Sequence, residues 1–274
     1  MTPTYAEHLA ALRTEGAALA DAARQHLTAP VPTCPGWDVR RLVAHTGRVH
    51  RYAAGIVAER RTGPPEGRPA KPAPDEDVLT WYAAGLATLI DALEAIDPAE
   101  PVWNWSARPQ TAAFWGRRMA LETVVHRWDA QSAAGTPAPI SPGLAGDGVS
   151  EVFEIFLPRL QAASPVDGLT GRLHLHATDL DTTHLHATHL HATALDATHL
   201  HATALDQADP TGEWLVRLNP DSVHLTHEHG TGDVAVRGPA ADLLLLLWNR
   251  RDAHGLDVYG DASLLELWAR TVRF

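Results

Sequence analysis

The 274-residue chain predicts a helical bundle followed by a smaller α+β domain. Four long stretches in the first half repeat apolar residues at helical spacing, and Pro- or Gly-rich segments separate them. Short runs in the second half alternate apolar and polar residues, which is typical of half-buried strands. The length suits one large or two ordinary domains.

Each helix of the first domain ends at a Pro- or Gly-containing break. Asp38 is of a residue type that caps helices, and it begins the second helix. The apolar stretch 149–160 predicts a helix that leads into the second domain. We therefore place the domains at 1–164 and 165–274. The four bundle helices are predicted at residues 5–27, 39–62, 78–96 and 111–134.

The second domain contains strands before helices. Gly238 and Pro239 open a helix that contains the apolar run 243–248, and Asp261 can cap a last helix. This order of elements predicts an α+β domain. The strands are predicted at residues 172–176, 213–218, 222–226 and 233–237.

A tandem five-residue repeat interrupts this domain at about 174–208, between the first two predicted strands. Leu holds the same position in all seven units. Neither a strand of period two nor a helix of period 3.6 places such leucines on one face. Two interpretations stay open: a small solenoid that resembles pentapeptide-repeat proteins, or a polar loop left by repeat expansion. Eight of the 17 histidines lie here, which suggests metal handling, although repetition alone accounts for the count.

Charge and composition exclude several classes of protein. The 33 acidic and 22 basic residues give a net charge of -11, which disfavours nucleic acid as a partner. We find neither a signal peptide nor an apolar segment approaching the roughly 20 residues of a membrane span. Cys34 is the only cysteine, which suits a reducing compartment. We expect a cytoplasmic protein with no membrane partner.

A set of potential metal ligands lies in the predicted bundle. Glu122 and His126 are four residues apart, so the fourth helix presents them on one face. Leu42 and Val49 flank His45 at helical spacing, which turns its ring toward the bundle interior. Three N and O ligands with a free position are typical of a catalytic zinc site. The alternative is a hydrogen-bonded core histidine beside a chance Glu-x-x-x-His pair.

Two long motifs contain these residues: CPGWDVRRLVAHTG at 34–47 and RRMALETVVHRWDA at 117–130. Both resemble the mycothiol-dependent maleylpyruvate isomerase family. The resemblance implies a DinB-like metal-binding four-helix bundle, then an α+β domain similar to sterol-carrier proteins. It also implies zinc held by His45, Glu122 and His126.

The resemblance further implies a thiol-dependent isomerase or S-transferase. Mycothiol would be the cosubstrate, and its metal-activated thiolate would add to a small electrophile. The alternatives are a noncatalytic carrier of an apolar ligand or interaction protein, and a metal-handling protein that uses the His-rich repeat. Arginine pairs well with carboxylates, so the candidates for holding substrate or thiol are Arg117, Arg118, Arg237 and Arg250.

Overall fold

The computed structural model describes residues 3–180 and 212–273, which form two units. The first unit is Pro3–Ile140, and the second begins at Ser141. Four helices build the first unit, and a small sheet with helices builds the second, which confirms the predicted fold class. Within the described residues, no helix is both long and apolar enough to cross a bilayer.

The first unit contains the four predicted helices, and side-chain caps begin three of them. Thr4 and Glu7 form a reciprocal capping box at the first helix. Asp38 accepts a hydrogen bond from the backbone N–H of Arg41 and caps the second, as its residue type predicts. Asp77 caps the third in the same way. The helices are α1 (Tyr5–Ala23), α2 (Val39–Ala58), α3 (Val78–Glu94) and α4 (Ala112–Ala133).

Two of these helices end a full turn earlier than the sequence predicts. α1 ends at Ala23 instead of Leu27, and hydrogen-bonded turns follow it. α2 ends at Ala58, just before Arg60 adopts a left-handed conformation with φ 45°. The N–H groups of Arg60 and Arg61 then bond to carbonyls of the last turn, which is a Schellman motif. Local backbone hydrogen bonds therefore determine where both helices end. The spacing of apolar residues does not predict those hydrogen bonds.

Small residues allow the helices of the bundle to approach closely. α1 packs mainly against α4, and α2 packs mainly against α3. A Cβ added at Gly47 of α2 would lie 2.5 Å from Cζ3 of Trp81 on α3, so glycine alone fits there without a shift. The guanidinium of Arg51, also on α2, lies over the Trp81 ring, 3.7 Å from its centroid. The largest fully buried side chains of this unit are Trp115, Tyr82, Leu12, Leu19, Leu42, Ile56, Leu89, Leu93, Met119 and Leu121.

We expect Gly47→Ala to destabilise the first unit by about 1–3 kcal/mol, because the added methyl overpacks the contact between α2 and α3. Gly55→Ala on the same helix is the matched control, since a Cβ there has nothing within 4 Å. That control should be neutral or stabilising by up to about 1 kcal/mol through helix propensity. Urea unfolding measures both variants, and equal stabilities would contradict the packing argument.

The second unit combines a sheet with four α-helices in its described residues. The sheet has the order β3-β2-β1-β4-β5; β1 and β4 are parallel, and the other neighbours are antiparallel. The strands are β1 (Gly171–Ala177), β2 (Glu213–Leu218), β3 (Val223–Thr226), β4 (Val234–Gly238) and β5 (Asp257–Gly260). The helices are α5 (Pro142–Glu151), α6 (Leu157–Ala163), α7 (Ala240–Leu247) and α8 (Ser263–Thr271), and a π-helical turn at Val152–Phe156 joins α5 to α6.

The central strand β1 presents different chemistry on its two faces. Leu175 lies opposite Trp214 of β2, and both side chains are buried in the core of the unit. Because side chains alternate along a strand, His174 and His176 project from the other face. His176 lies opposite Glu213 of β2. The sheet therefore has one apolar face and one face that gathers imidazoles around a carboxylate.

The two units divide earlier in the chain than the boundary near residue 165 expected from the sequence. The helical stretch 149–160, which the sequence places in the first domain, covers the end of α5, the π-helical turn and the start of α6, all of them in the second unit. There α5 packs against α7. A Cβ at Gly148 of α5 would lie 2.9 Å from Leu244, and the Trp214 indole donates to Ser150 at 2.9 Å. A helical pattern in the sequence does not specify which hydrophobic core the helix packs into. The sequence alone therefore does not show that α5 belongs to the second unit.

Two further features differ from the expected elements or lie outside them. The edge strand β5 is not among the predicted strands, because its four residues carry little alternating pattern and pair only with β4. The first repeat unit, His174–Thr178, supplies most of the second half of β1. Residues 181–211, which hold the other repeat units almost entirely, lie outside the described residues.

Candidate metal centre

The three predicted ligands come together between α2 and α4. His45 is on α2, Glu122 and His126 are on α4, and one ligand atom of each lies within 4.8 Å of the others. The Oε1 atom of Glu122 is 3.3 Å from Nε2 of His45 and 3.2 Å from Nε2 of His126. The two imidazole rings meet edge to face, with centroids 5.2 Å apart. One carboxylate oxygen thus lies between two imidazole nitrogens.

Arg118 holds the other oxygen of Glu122. Its guanidinium, one helical turn earlier on α4, donates a hydrogen bond to Oε2 of Glu122. Burial raises the pKa of Glu122, but the charges of His126 and Arg118, with hydrogen bonds from the two histidines, lower it by more. The pKa of this carboxyl therefore lies well below its ordinary value, and the group is an anion available to a cation.

Asp129 fixes the orientation of His126. Its Oδ2 lies 3.0 Å from Nδ1 of His126, and the Asp129 side chain is completely buried. Thr33 donates to Oδ1 of Asp129 at 2.5 Å, and the thiol of Cys34 donates to Oδ2 at 3.7 Å. A carboxylate behind the distal nitrogen of a histidine is a common support for a metal ligand, because it fixes the tautomer and the ring plane. Nε2 of His126 is consequently directed at the cluster.

The same environment makes His126 strongly basic. Burial lowers the pKa of His126, but Glu122 and Asp129 raise it by more, to about 9. A proton therefore occupies this imidazole at neutral pH whenever no cation does. A metal ion must displace that proton, which couples metal affinity to pH.

The first unit contains a cavity of about 700 Å³. Trp37 lines this cavity, and its ring centroid lies 5.0 Å from that of His45. The Arg41 guanidinium lies 4.7 Å from the Trp37 ring centroid and also lines the cavity, as does Lys71. Trp37 is therefore shared between the cavity and the cluster, and the cavity wall carries positive charge.

The four arginines singled out from the sequence have different environments. Arg118 contacts the cluster through Glu122, and Arg117 is its half-buried neighbour on α4. Arg237 and Arg250 belong to the second unit: Arg237 is 3.3 Å from Asp257, and Arg250 donates to the Trp248 carbonyl at 3.0 Å. Arg118 accordingly supports a ligand, which is a different role from binding substrate directly.

Residues outside the predicted set complete the centre or are excluded from it. Thr33 and Cys34 contact Asp129 from a loop almost 100 positions away, and no spacing rule connects those positions. The buried His50 lies outside the ligand group: its Nε2 is 2.9 Å from the Thr123 hydroxyl, and burial lowers its pKa to about 3. His50 is therefore a neutral core residue.

The family comparison covers both units. The family model described as "Mycothiol maleylpyruvate isomerase N-terminal domain" matches residues 8–131, and the model described as "MDMPI C-terminal domain" matches residues 144–267. The chain belongs to the mycothiol-dependent maleylpyruvate isomerase family. This membership confirms the resemblance that the two sequence motifs carry.

Solved structures of that family share the fold. The crystal structure of the mycothiol-dependent maleylpyruvate isomerase matches with a TM-score of 0.57 at 14% identity, over 94% of this chain and 95% of that one. A histidine-to-alanine mutant of that enzyme matches with the same TM-score at 13% identity, over the same shares. No curated protein sequence matches this chain. At these identities the likeness establishes the fold alone.

We expect Asp129→Asn to weaken Zn²⁺ binding to the first unit by about 10–100-fold, because the amide no longer holds His126 as an anionic acceptor does. Asp91→Asn, on the exposed side of α3, is the charge-matched control and should leave affinity unchanged. Titration against a competing chelator measures both. Equal affinities of the Asp129 variant and the native chain would remove Asp129 from the centre.

The buried His50 predicts an acid-sensitive stability. Its folded-state pKa of about 3 lies below the ordinary 6.5, so the unfolded chain takes up a proton between these values that the folded chain refuses. The contribution of neutral His50 to the free energy of unfolding is complete above pH 6.5 and is lost as the pH falls toward 3. We expect His50→Gln to reduce the slope of unfolding free energy against pH by up to about 1.4 kcal/mol per unit between pH 6 and 4. Unfolding of the metal-free proteins across this range measures it, and parallel curves would contradict it.

Proposed function

We propose that this chain is a metal- and thiol-dependent enzyme acting on a small electrophile. His45, Glu122 and His126 would hold a divalent metal, with zinc the preferred ion, and mycothiol would be the cosubstrate. The observation that carries the proposal is the position of Glu122 Oε1, within 3.3 Å of two imidazole nitrogens from two helices. Family membership adds the thiol.

The donor set fits a zinc ion. Donors that bind zinc at about 2.0–2.1 Å in a tetrahedron lie about 3.3 Å apart. Glu122 Oε1 lies 3.2 Å from Nε2 of His126 and 3.3 Å from Nε2 of His45. Two imidazoles and one carboxylate resemble the three-ligand sets of catalytic zinc sites, which leave a fourth position for water or substrate. Zinc bound here would supply Lewis acidity that lowers the pKa of a coordinated thiol.

The residues around the ligands would keep them in position. Arg118 holds the Glu122 carboxylate, and Asp129 holds His126 with Nε2 directed inward. Trp37 covers one side of the His45 ring. The positive groups of the adjacent cavity, Arg41 and Lys71, suit a carboxylated substrate or the polar part of a thiol.

The chemistry proposed is reversible addition of a thiolate to an activated double bond. The thiolate forms an S–C bond to one alkene carbon, and the π electrons move onto the conjugated carbonyl as an enolate. Rotation about the resulting single bond followed by collapse of the enolate expels the thiolate and leaves the trans alkene. If the enolate carbon is protonated instead, the thioether adduct is released and the reaction is an S-transfer. The chain needs no nucleophile of its own for either outcome.

The noncatalytic alternatives gain less from the structure. The apolar run 243–248 is buried in the core of the second unit, where α7 packs on α5, and so offers no open surface to an apolar ligand. A helix buried on all sides is typical of a structural core. The metal-handling alternative depends mainly on repeat units beyond the described residues.

We expect Glu122→Gln and His126→Ala to lose the metal of the first unit and to lower mycothiol-dependent isomerisation of maleylpyruvate by more than about 100-fold. Both effects follow because each variant removes one of three ligands. His26→Ala is the control, since His26 is exposed after α1 and should leave metal and rate unchanged. Elemental analysis and a mycothiol-dependent rate assay measure the two effects. Unchanged metal content and rate in Glu122→Gln would overturn the proposal.

A further inference from the structure

A second group of imidazoles surrounds a carboxylate in the second unit. Glu213 at the start of β2 has Oε2 2.5 Å from Nε2 of His174 on β1. Its Oε1 contacts Nδ1 of His176 and lies 3.2 Å from Nδ1 of His229, which follows β3. The His174 and His229 rings meet edge to face, with centroids 5.0 Å apart. Two strands and one loop therefore converge on one carboxylate.

The register of the sheet produces this convergence. His176 lies directly opposite Glu213 in the antiparallel pair, and His174 is two residues away on the same face of β1. Directly opposite residues of an antiparallel pair have Cβ atoms about 5 Å apart, which suits two side chains that share a ligand. The loop after β3 adds His229 above this face.

The burial of the group is graded, as an accessible binding site requires. The side chains of His174 and Glu213 are 7% and 11% exposed, whereas that of His229 is 79% exposed. A nearly buried carboxylate needs compensation of its charge. Within the part of the chain that the structure describes, the ion-pair partners of Glu213 are all imidazoles. Burial raises the pKa of Glu213, but the hydrogen bonds from His176, His174 and His229 lower it by more, so the carboxylate is ionised.

We propose that His174, Glu213 and His229 form a second metal site, for a divalent transition metal of the Zn²⁺ or Ni²⁺ class. One ligand atom of each residue lies within 4.8 Å of the others. His176, whose Nδ1 contacts Glu213, could supply a fourth ligand. Imidazole and carboxylate ligands select such ions over Ca²⁺ and Mg²⁺, which prefer oxygen alone. The bound ion joins β1, β2 and the loop after β3. This site stands independently of the function proposed for the bundle.

The site uses the first unit of the five-residue repeat. The first unit of the repeat, His174-Leu175-His176-Ala177-Thr178, is the unit that contributes two imidazoles to the site. Its Leu175 faces the core while both histidines face Glu213. The His-x-His spacing thus has a structural use in this first unit, because a strand places alternate residues on one face.

The test counts Zn²⁺ bound per chain in four full-length proteins after dialysis from micromolar Zn²⁺. The proteins are the native chain, Glu122→Gln, Glu213→Gln and the double variant. If both sites exist, we expect two, one, one and zero ions. If the bundle site fails but this site holds, the counts are one, one, zero and zero. Equal counts in the native chain and Glu213→Gln overturn the second site.

Matched controls separate this site from the rest of the repeat and from misfolding. Glu228→Gln and His224→Gln alter exposed neighbours in sequence and should leave the counts unchanged, whereas His229→Gln should weaken binding at least tenfold. A further variant replaces the six histidines between 184 and 201 by glutamine. It should keep the Glu213-dependent ion, and loss of that ion would assign it to the repeat and overturn the proposal.

Zn²⁺ should raise the melting temperature of Glu122→Gln but not of the double variant, and an equal rise in both would also overturn the proposal.

Discussion

The charge of Glu122 is the constraint on which the bundle centre depends. A carboxylate with 13% side-chain exposure is costly to bury unless partners compensate it. Here Arg118 takes one oxygen, and His45 and His126 approach the other. Because α2 and α4 each supply part of this compensation, their relative placement within the unit is tied to the ligand geometry. The residues that stabilise the anion are also those that a divalent cation would need.

A second layer of contacts extends this constraint into the loop before α2. Asp129 orients His126 and accepts hydrogen bonds from Thr33 and Cys34, so the loop is anchored to α4. The same loop carries Trp37, which contacts the His45 ring and lines the cavity. Ligand orientation and cavity wall are therefore built from one short segment. Cys34 therefore has a supporting position beside the centre. That position agrees with the proposed chemistry, in which an added thiol is the nucleophile.

The same physical logic recurs in the second unit on a different scaffold. Four-residue spacing on a helix joins Glu122 to His126, whereas a cross-strand pair joins Glu213 to His176. In each unit an ionised carboxylate with little exposure has imidazole partners and an accessible side. The fold is shared with a solved structure at 14% identity, so most residues can differ without loss of the fold, whereas each cluster needs particular residues in register.

The sequence by itself determined the four bundle helices, four of the five described strands and the pairing of Glu122 with His126, because periodicity and spacing are local properties of the chain. It also placed His45 on the inward face of its helix. Only the tertiary structure decided that Thr33 and Cys34 meet Asp129, that α5 joins the second unit, and that His229 reaches Glu213. Those contacts join residues distant in sequence, and packing of whole elements brings them together. No spacing along the chain encodes such encounters, which is why they had to be read from the folded protein.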